Sequence, residues 1–581
     1  MKNTKKLLVV TASKETWYKF SQYEIICLGE WCKLYPENYL WNGINSEVIP
    51  YHWDDRTKLK SDHDELKNLY EKVLIDLTLY LNKIHRINES TLFWRIVLGP
   101  WLMNYIPILF DRWEMLRLAF ENDAKYISVL IENETLPIAV DFEGFCTLSQ
   151  TDSWNQLIYQ RIISKKYKDQ IEFIKIKKEH DKESLSKPNM FNWKIKVIAI
   201  IDRIFRVFGG RGKFMFHTLY FSPINLILLN LKLKQFPRFF VDDFKFKFKE
   251  KVDNSLRKKL ELKTLSSSPF ELFLYENILK DIPMSYLEGF HSIRNHLDTI
   301  NLEFKFILTA NSYWGNDVFK IWIAIQQKLE KKIIISEHGG SFPPLFDTFQ
   351  HEEEISSKFK IVWFNPFHLK HLKLPPNKII LQNAKYLKNG NCAIIGFESP
   401  RYSYRVTAGP ISHQTLDCFE HTISFCSKLN DSIKENINIR PYPNLGWYTN
   451  LRYADMLSPK SVNAEGSHKN FIAKAKLIVC TYPQTTFSEA MASGKPTILV
   501  YDPQLFEFIP ETKELIDILI SAKIIFYDSC KAANHVNNIW LDIESWWENE
   551  KVVRARNSFL QISLSGNKNS INEWVKFLES I

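Results

Sequence analysis

The sequence predicts an α/β protein with parallel strands, arranged in two domains. Three observations carry this. Residues 469–503 (KNFIAKAKLIVCTYPQTTFSEAMASGKPTILVYDP) hold two short Ile/Leu/Val-rich runs, 477–480 and 497–501, separated by a polar turn and a helical pattern at 487–493. Gly494 falls where a helix C′ glycine belongs and Pro496 where the next strand starts, which gives a strand–turn–helix–strand unit of a parallel sheet. A second such unit runs from 304–309 (FKFILT) through a helical pattern at 318–329 to 331–336 (KKIIIS). The length, 581 residues, also exceeds what one core serves.

From the N-terminus, 6–11 (KLLVVT) reads as a buried strand and 25–31 (IICLGEW) as an apolar run ending in Gly29 and Glu30. Residues 66–87 have helical periodicity. Residues 91–110 (TLFWRIVLGPWLMNYIPILF) predict a buried helix pair broken at Gly99-Pro100, with Arg95 in a structural ion pair. The lysine-rich stretch 163–187 reads as a surface helix or disordered loop. Residues 191–240 interleave Lys and Arg with Phe, Ile and Leu. That pattern suits either an inserted subdomain or a surface near anionic lipid. Further strands are expected at 359–363, 378–381, 392–396, 437–440, 477–480, 497–500 and 524–527. The implied division is 1–350 with a helical insertion at 155–260, a second α/β domain at 351–533, and a helical tail at 534–581 that packs back on the domains.

Composition narrows the class. Hydrophobic residues make up 45% and charged residues 24%, as in soluble globular proteins. Aromatic residues reach 14%, which favours carbohydrate platforms or wet interfaces, although AT-biased coding produces the same excess. The net charge of +10 is modest for this length and fits an anionic substrate or membrane surface; no nucleic-acid partner is expected. The eight cysteines are scattered without a CxxC pair or His/Cys cluster, so neither zinc nor a disulfide framework is indicated. The start lacks a signal-peptide core, and no run of 18 apolar residues is seen. A cytoplasmic protein is expected, with peripheral contact to the inner face of the cytoplasmic membrane open.

Candidate functional residues gather at strand ends, where parallel sheets bind ligands. Thr485 and Thr486 stand at a helix start, where hydroxyls and the positive end of the dipole suit a phosphate; an ordinary cap with a Thr486-to-Glu489 capping box is the plain alternative. Tyr482 and Gln484 share that turn. Arg440 ends the strand at 437–440 and can hold a phosphate or carboxylate bidentately. His338 follows the strand at 331–336 and is the best acid/base candidate, with Gly339 and Gly340 letting a ligand approach the backbone. Asn311, Ser312 and Asp317 lie in the turn after 304–309. Glu30 is either a general base or a helix cap. The one DxD, Asp62-His63-Asp64, opens a charged helix and reads as solvated.

Two α/β domains with ligand-type loops resemble the GT-B architecture of glycosyltransferases, in which two Rossmann-like domains face a cleft. The N-terminal one there takes the acceptor and the C-terminal one the nucleotide-activated donor. The motifs LVVTASKETW, LGEWC, FWRIVLGPWL, TANSYWGNDVFKIWIA, SEHGGSF, NIRPYPNLGW, CTYPQTTFSEAMASGKPTILVYDP and HVNNIWLDIESWW resemble a bacterial family of surface-polysaccharide and lipopolysaccharide transferases along nearly the whole chain. That family usually has Gln-His-Gly-Gly where Glu337 precedes His338 here. It has Tyr-Asn-Thr/Ser-Thr at the hydroxyl turn, and an acid where Asn444 stands. The arrangement is also similar to CMP-sugar transferases of the Kdo and sialic acid kinds, which implies that Arg440, Thr485 and Thr486 contact the donor phosphate. Glu489 corresponds to a ribose-holding position of UDP-sugar enzymes.

The resemblance implies a sugar transfer from a nucleotide-sugar donor, CMP-Kdo-like being one kind, to a cell-surface glycan or lipid-linked acceptor, with no cofactor or metal. His338, or a carboxylate such as Glu30 or Asp317, would take the acceptor proton, and Asp317 would be the nucleophile of a retaining reaction. The rival readings are a nucleotide-sugar epimerase, a glycerophosphate-type transferase, and a non-catalytic polysaccharide assembly protein.

Overall fold

The computed structural model describes residues 5–581 apart from 122–123, 133, 178–192, 207–208, 379–383, 385, 464–465 and 565–569. Three five-stranded sheets form, and every strand pairing in them is parallel. The first contains β1 (Lys6–Val9), β2 (Ile25–Cys27), β3 (Ser46–Val48), β4 (Tyr126–Glu132) and β5 (Ile171–Lys177), in the order β3-β2-β1-β4-β5. The second contains β6 (Arg211–His217), β7 (Glu303–Thr309), β8 (Lys332–Ser336), β9 (Lys360–Val362) and β10 (His371–Lys373), in the order β10-β9-β8-β7-β6. The third contains β11 (Asn391–Ile395), β12 (Ile437–Arg440), β13 (Ala475–Cys480), β14 (Thr497–Val500) and β15 (Ile525–Phe526), in the order β12-β11-β13-β14-β15.

The central strands are continuous apolar runs because helices cover both faces. Every residue of β13 and β14 is buried, and Ile478 pairs with Thr497 in register. The edge strands follow a different rule, and this corrects two sequence expectations. β5 (IEFIKIK) alternates apolar and charged side chains because it closes one side of the first sheet, where outward lysines discourage further pairing. It lies in the stretch read as surface helix or loop; residues 178–187 of that stretch are outside the described residues. β6 (RGKFMFH) lies inside the expected helical insertion and buries Phe214, Met215, Phe216 and His217. The second sheet extends past residue 350, where the sequence division was set, because β9 and β10 complete it. Of the strand expected at 378–381, Lys378 sits in a bend and the rest lies outside the described residues.

Helix Thr91–Ala119 is one helix, not a pair: Pro100 and Pro107 lie within it. It is long and apolar enough to cross a membrane, but 89% of its most apolar window is buried in the protein. It packs against helices Arg56–His85 and Asp317–Lys328, inside a core shared by the first two sheets. A helix buried on all sides is apolar on all sides, which is why it shows no amphipathic stripe. Gly99 is required there, since a Cβ would come within 2.7 Å of His351 and 2.9 Å of the Tyr70 hydroxyl. Arg95 makes the expected structural pair, two hydrogen bonds of 2.7 and 2.6 Å to Glu71. The DxD is solvated only at Asp64, which is exposed. Asp62 is buried and accepts from Trp53 Nε1 at 2.8 Å, and His63 packs on Phe346 and Phe349.

Specific polar clasps tie the third sheet to the first two. Arg56 donates to both carboxylate oxygens of Glu507 at 3.2 and 2.5 Å. Arg401 donates to the Trp31 carbonyl at 2.8 Å and to Asp152 at 2.5 Å. Helix Ser570–Ser580 returns to the second sheet, where Trp574 is fully buried and donates to the Pro375 carbonyl at 3.0 Å. Arg112 is the most enclosed cation of this seam. It is fully buried and donates to Asp111 at 2.6 Å, Asn155 at 3.0 Å and the Ser403 carbonyl at 2.8 Å.

Removing one partner of a buried pair leaves an uncompensated charge. Arg112→Met is therefore expected to lower stability by about 3–5 kcal/mol, measured by denaturant unfolding. A loss below about 1 kcal/mol would mean that Asp111 is satisfied without it.

Candidate active site

The third sheet reverses direction between β11 and β13, and ligand crevices open at the C-terminal side of such a switch point. The turn after β13 stands there. Thr481 Oγ1 donates to the Ile395 carbonyl at 2.8 Å, which pins the turn across to the end of β11. Helix Thr485–Ala492 follows with Gln484 as its N-cap, exposed and making no side-chain cap bond. The first turn of N–H groups is therefore not capped by that residue. Thr486 Oγ1 is buried and faces the Tyr482 hydroxyl. The capping-box alternative fails, because Thr486 is inside the helix and Glu489 turns elsewhere. Glu489 pairs with Lys378 at 2.7 Å and with His468 at 3.4 Å.

The loop after β12 frames the crevice from the other side. Arg440 donates to the Gly466 carbonyl at 2.9 Å. Glu398, buried, holds the following loop by its backbone. It accepts from the N–H groups of Leu445 at 2.6 Å, Trp447 at 3.0 Å and Thr449 at 3.2 Å, and from the Thr449 hydroxyl at 2.5 Å. Tyr442 and Phe397 face the buried ring of Tyr482, at centroid distances of 6.3 and 5.3 Å. Burial raises the Tyr482 hydroxyl pKa, so it stays protonated.

The second sheet brings its own strand ends to the same place. His338 follows β8, and Tyr220 stacks on it with centroids 5.7 Å apart and planes 20° apart. Tyr220 is aimed by a strained turn. Thr218 has φ 52° and Tyr220 has φ 61°, a region a β-branched residue seldom enters. Thr218 is held by its hydroxyl, which lies 3.0 Å from Ser312 Oγ and accepts from the Ser312 N–H at 3.2 Å. Asn311 donates to the Tyr220 hydroxyl at 3.0 Å. Asn311 and Ser312 thus shape the His338 side through residues 218–220, a contact with no local sequence signal. His338 has solvent at one edge, yet the surrounding walls desolvate it and lower its pKa from 6.5, against the opposing pull of the Glu352 charge. It is neutral at physiological pH and able to accept a proton.

The two edges meet at the glycines. A Cβ on Gly339 would lie 2.4 Å from Thr485 Oγ1, so glycine lets the loop seat on the helix start without displacing that hydroxyl. Ser488 Oγ donates to the Gly340 carbonyl at 2.9 Å. The predicted His338-Gly339-Gly340 loop and Thr485-Thr486 helix start are therefore in contact, one from each of two sheets. Glu337, the residue before His338, accepts from the Trp363 N–H at 2.7 Å. Burial raises its pKa to about 7, with the positive charge of Lys360 acting the other way.

Other predicted residues are elsewhere. Asp317 is buried and saturated: it pairs with Lys320 at 2.7 Å and accepts from Tyr286 at 2.8 Å, the Ser285 hydroxyl at 2.5 Å and the Phe142 N–H at 3.1 Å. Four donors hold it as a structural anion, which removes it as nucleophile or base. Glu30 opens a 3-10 turn on the first sheet, and its charge is felt by His413 and Arg452 rather than by the second sheet's loop. Sequence reasoning missed Lys378, His468 and Glu398. Their partners lie 21 to 111 residues away, so no spacing marks them.

The chain belongs to the LIC12162 family of transferases, whose model matches residues 6–578. No curated protein matches it. Among solved structures it is similar to a candidate UDP-N-acetylglucosamine 2-epimerase from Listeria monocytogenes, with 10% identity over 52% of this chain and 82% of that one at a TM-score of 0.32. It is also similar to the glycosyltransferase SsfS6 of Streptomyces sp. SF2575, with 10% identity over 47% and 68% at 0.25. Likeness at that level carries no detail of substrate or residue.

Because the folded pKa of Glu337 lies above its ordinary value of 4.5, the folded state binds the extra proton between the two. Its stabilisation is full below 4.5 and is lost as the pH rises through about 7. Glu337→Gln keeps the acceptor for Trp363 without the charge. It is expected to match wild type near the lower value and to exceed it by roughly 1–3 kcal/mol at a pH about one unit above the higher one. Thermal unfolding across that range checks this, and parallel curves would contradict it.

Proposed function

We propose that the junction of the second and third sheets is the active site of a glycosyltransferase. It moves a sugar from a nucleotide-activated donor, CMP-Kdo-like on the sequence resemblance, to a cell-surface glycan or lipid-linked acceptor. The observation that carries this is the seating of the His338 loop on the Thr485–Thr486 helix start. It brings a neutral base and an anion-binding helix end together at a topological switch point.

The donor phosphate lies against the first turn of helix Thr485–Ala492, beneath the buried Thr486 hydroxyl and within reach of Arg440. Tyr442 and Tyr482 offer the aromatic wall for the base, and Glu489 the ribose position. The acceptor hydroxyl lies against His338. As its oxygen bonds to the anomeric carbon, the bond from that carbon to the phosphate oxygen breaks and the electron pair stays on the phosphate. The acceptor proton passes to the His338 ring nitrogen. Arg440 and the helix end stabilise the charge that develops on the leaving group, in place of a metal. With Asp317 committed to four donors, direct displacement with inversion is the outcome the side chains favour.

Thermal unfolding with CMP, UDP, GDP, ADP and dTDP tests the donor side. One of them is expected to stabilise the protein by about 2.7 kcal/mol at a hundredfold excess over Kd, and Arg440→Ala to lose most of that shift. His338→Ala is expected to keep the shift and to lose roughly 10²–10⁴ in turnover. Absence of any shift would contradict the reading, as would wild-type turnover in both variants. Conversion of the donor alone into an isomer would point to an epimerase instead.

A further inference from the structure

The segment 191–240 carries five lysines and four arginines against one aspartate; the arginines pair with Asp242, Asp243, Glu303 and Asp202, so the lysines carry its positive face. It also holds two helices that leave apolar side chains in solvent. On helix Trp193–Phe205, Val197, Ile200 and Ile204 recur at helical spacing along one face, the last two 56% and 59% exposed. On helix Pro223–Lys232, Ile224, Leu228 and Leu231 do the same, with Ile224 70% exposed. The opposite side of the second helix is committed, since Leu226 and Leu229 are buried in the core beside Trp574. The first helix is also fixed in place. Asp202 pairs with Arg238 at 3.0 Å and accepts from the Phe239 N–H at 2.8 Å. The outward residues are therefore apolar by composition and not by failure to pack. Lys213, Lys232 and Lys234 stand exposed in the same segment.

Exposed apolar helix faces flanked by lysines match one partner chemistry. Isoleucine and leucine enter the acyl boundary while lysines reach lipid phosphates. We propose that this face docks the protein on an anionic lipid bilayer. A folded protein partner of opposite charge is disfavoured because two separate stripes of aliphatic side chains need a broad apolar receiver, and a bilayer is one. The docking also orients the site. Helix Pro223–Lys232 begins three residues after Tyr220, the ring stacked on His338. The membrane face thus leads directly to the acceptor side of the cleft, and an acceptor with a lipid tail would approach His338 from the bilayer. This last step rests on the role of His338 proposed above; the docking does not.

Co-sedimentation of the full chain with phosphatidylcholine vesicles, and with vesicles containing phosphatidylglycerol, tests the proposal. Binding is expected to the anionic vesicles and to weaken as salt rises from about 0.1 to about 1 M, over which the screening length falls from about 10 to about 3 Å. Ile200→Glu/Ile204→Glu and Lys232→Glu/Lys234→Glu are each expected to lower partitioning by about tenfold or more. Both pairs are exposed, and an unchanged midpoint of thermal unfolding without ligand reports that the fold is intact. Wild-type binding in both variants would overturn the proposal, as would failure to bind anionic vesicles. So would a wild-type dimer that Ile200→Glu/Ile204→Glu turns into monomer without any vesicle binding, which would make a second copy of the chain the partner. A chain that shifts with nucleotide but ignores vesicles would overturn the docking and leave the transferase reading standing.

Discussion

The site depends on one close approach, the Gly339 backbone against Thr485 Oγ1. Everything chemical follows from it. The loop after β8 carries His338 and the turn after β13 carries Thr485, and they belong to different sheets; Phe342, just past that loop, packs with Phe487 of the following helix in one core cluster. A Cβ at position 339 would push against Thr485 Oγ1 and strain the seating of the loop on the helix end. The long-range clasps serve the same contact: Arg56 on Glu507, Arg401 on Trp31 and Asp152, and the returning tail all hold the third sheet against the others.

Charge within the site is arranged rather than simply positive. Lys378 is paired with Glu489, and both Lys378 and Arg405 lower the pKa of His338. Arg440 and Lys378 act in the same direction on His468. A nearby cation disfavours protonation of a histidine, so cations that suit a phosphate also keep the His338 ring uncharged. Glu352, which bonds Tyr313 and pairs with Lys360 at 2.8 Å, pulls the other way. At Glu337 burial raises the carboxyl to about 7, so it is partly protonated near neutrality while it accepts from the Trp363 N–H.

What could be read from the sequence follows from where the physical signal lies. The units around β7–β8 and β13–β14 were legible because their strands carry buried apolar runs, complete in β13 and β14 and covering the C-terminal ends of β7 and β8. The His338 loop and the Thr485–Thr486 turn were legible because strand ends in parallel sheets are where polar residues gather. β5 and β6 were not, since an edge strand needs only half its side chains apolar and a lysine-rich alternation looks like a solvated helix. Helix Thr91–Ala119 was read as a pair because Gly99-Pro100 normally breaks a helix. Burial against His351 and Tyr70 overrides that local preference. Asp317 was misassigned for a similar reason: a carboxylate at a strand-end turn looks available until Ser285, Tyr286 and Lys320 are seen to surround it.

The most direct test of the account is a double-mutant cycle on thermal stability with Gly339→Ala and Thr485→Ala. The added Cβ meets Thr485 Oγ1 at 2.4 Å, whereas the next atoms of Thr485 lie at 3.6 Å, an ordinary contact. Gly339→Ala alone should destabilise, and the double variant should recover much of the loss, with a coupling on the order of 1–2 kcal/mol. Additive effects within about 0.5 kcal/mol would mean that the two loops do not touch, and the shared site would fall with them.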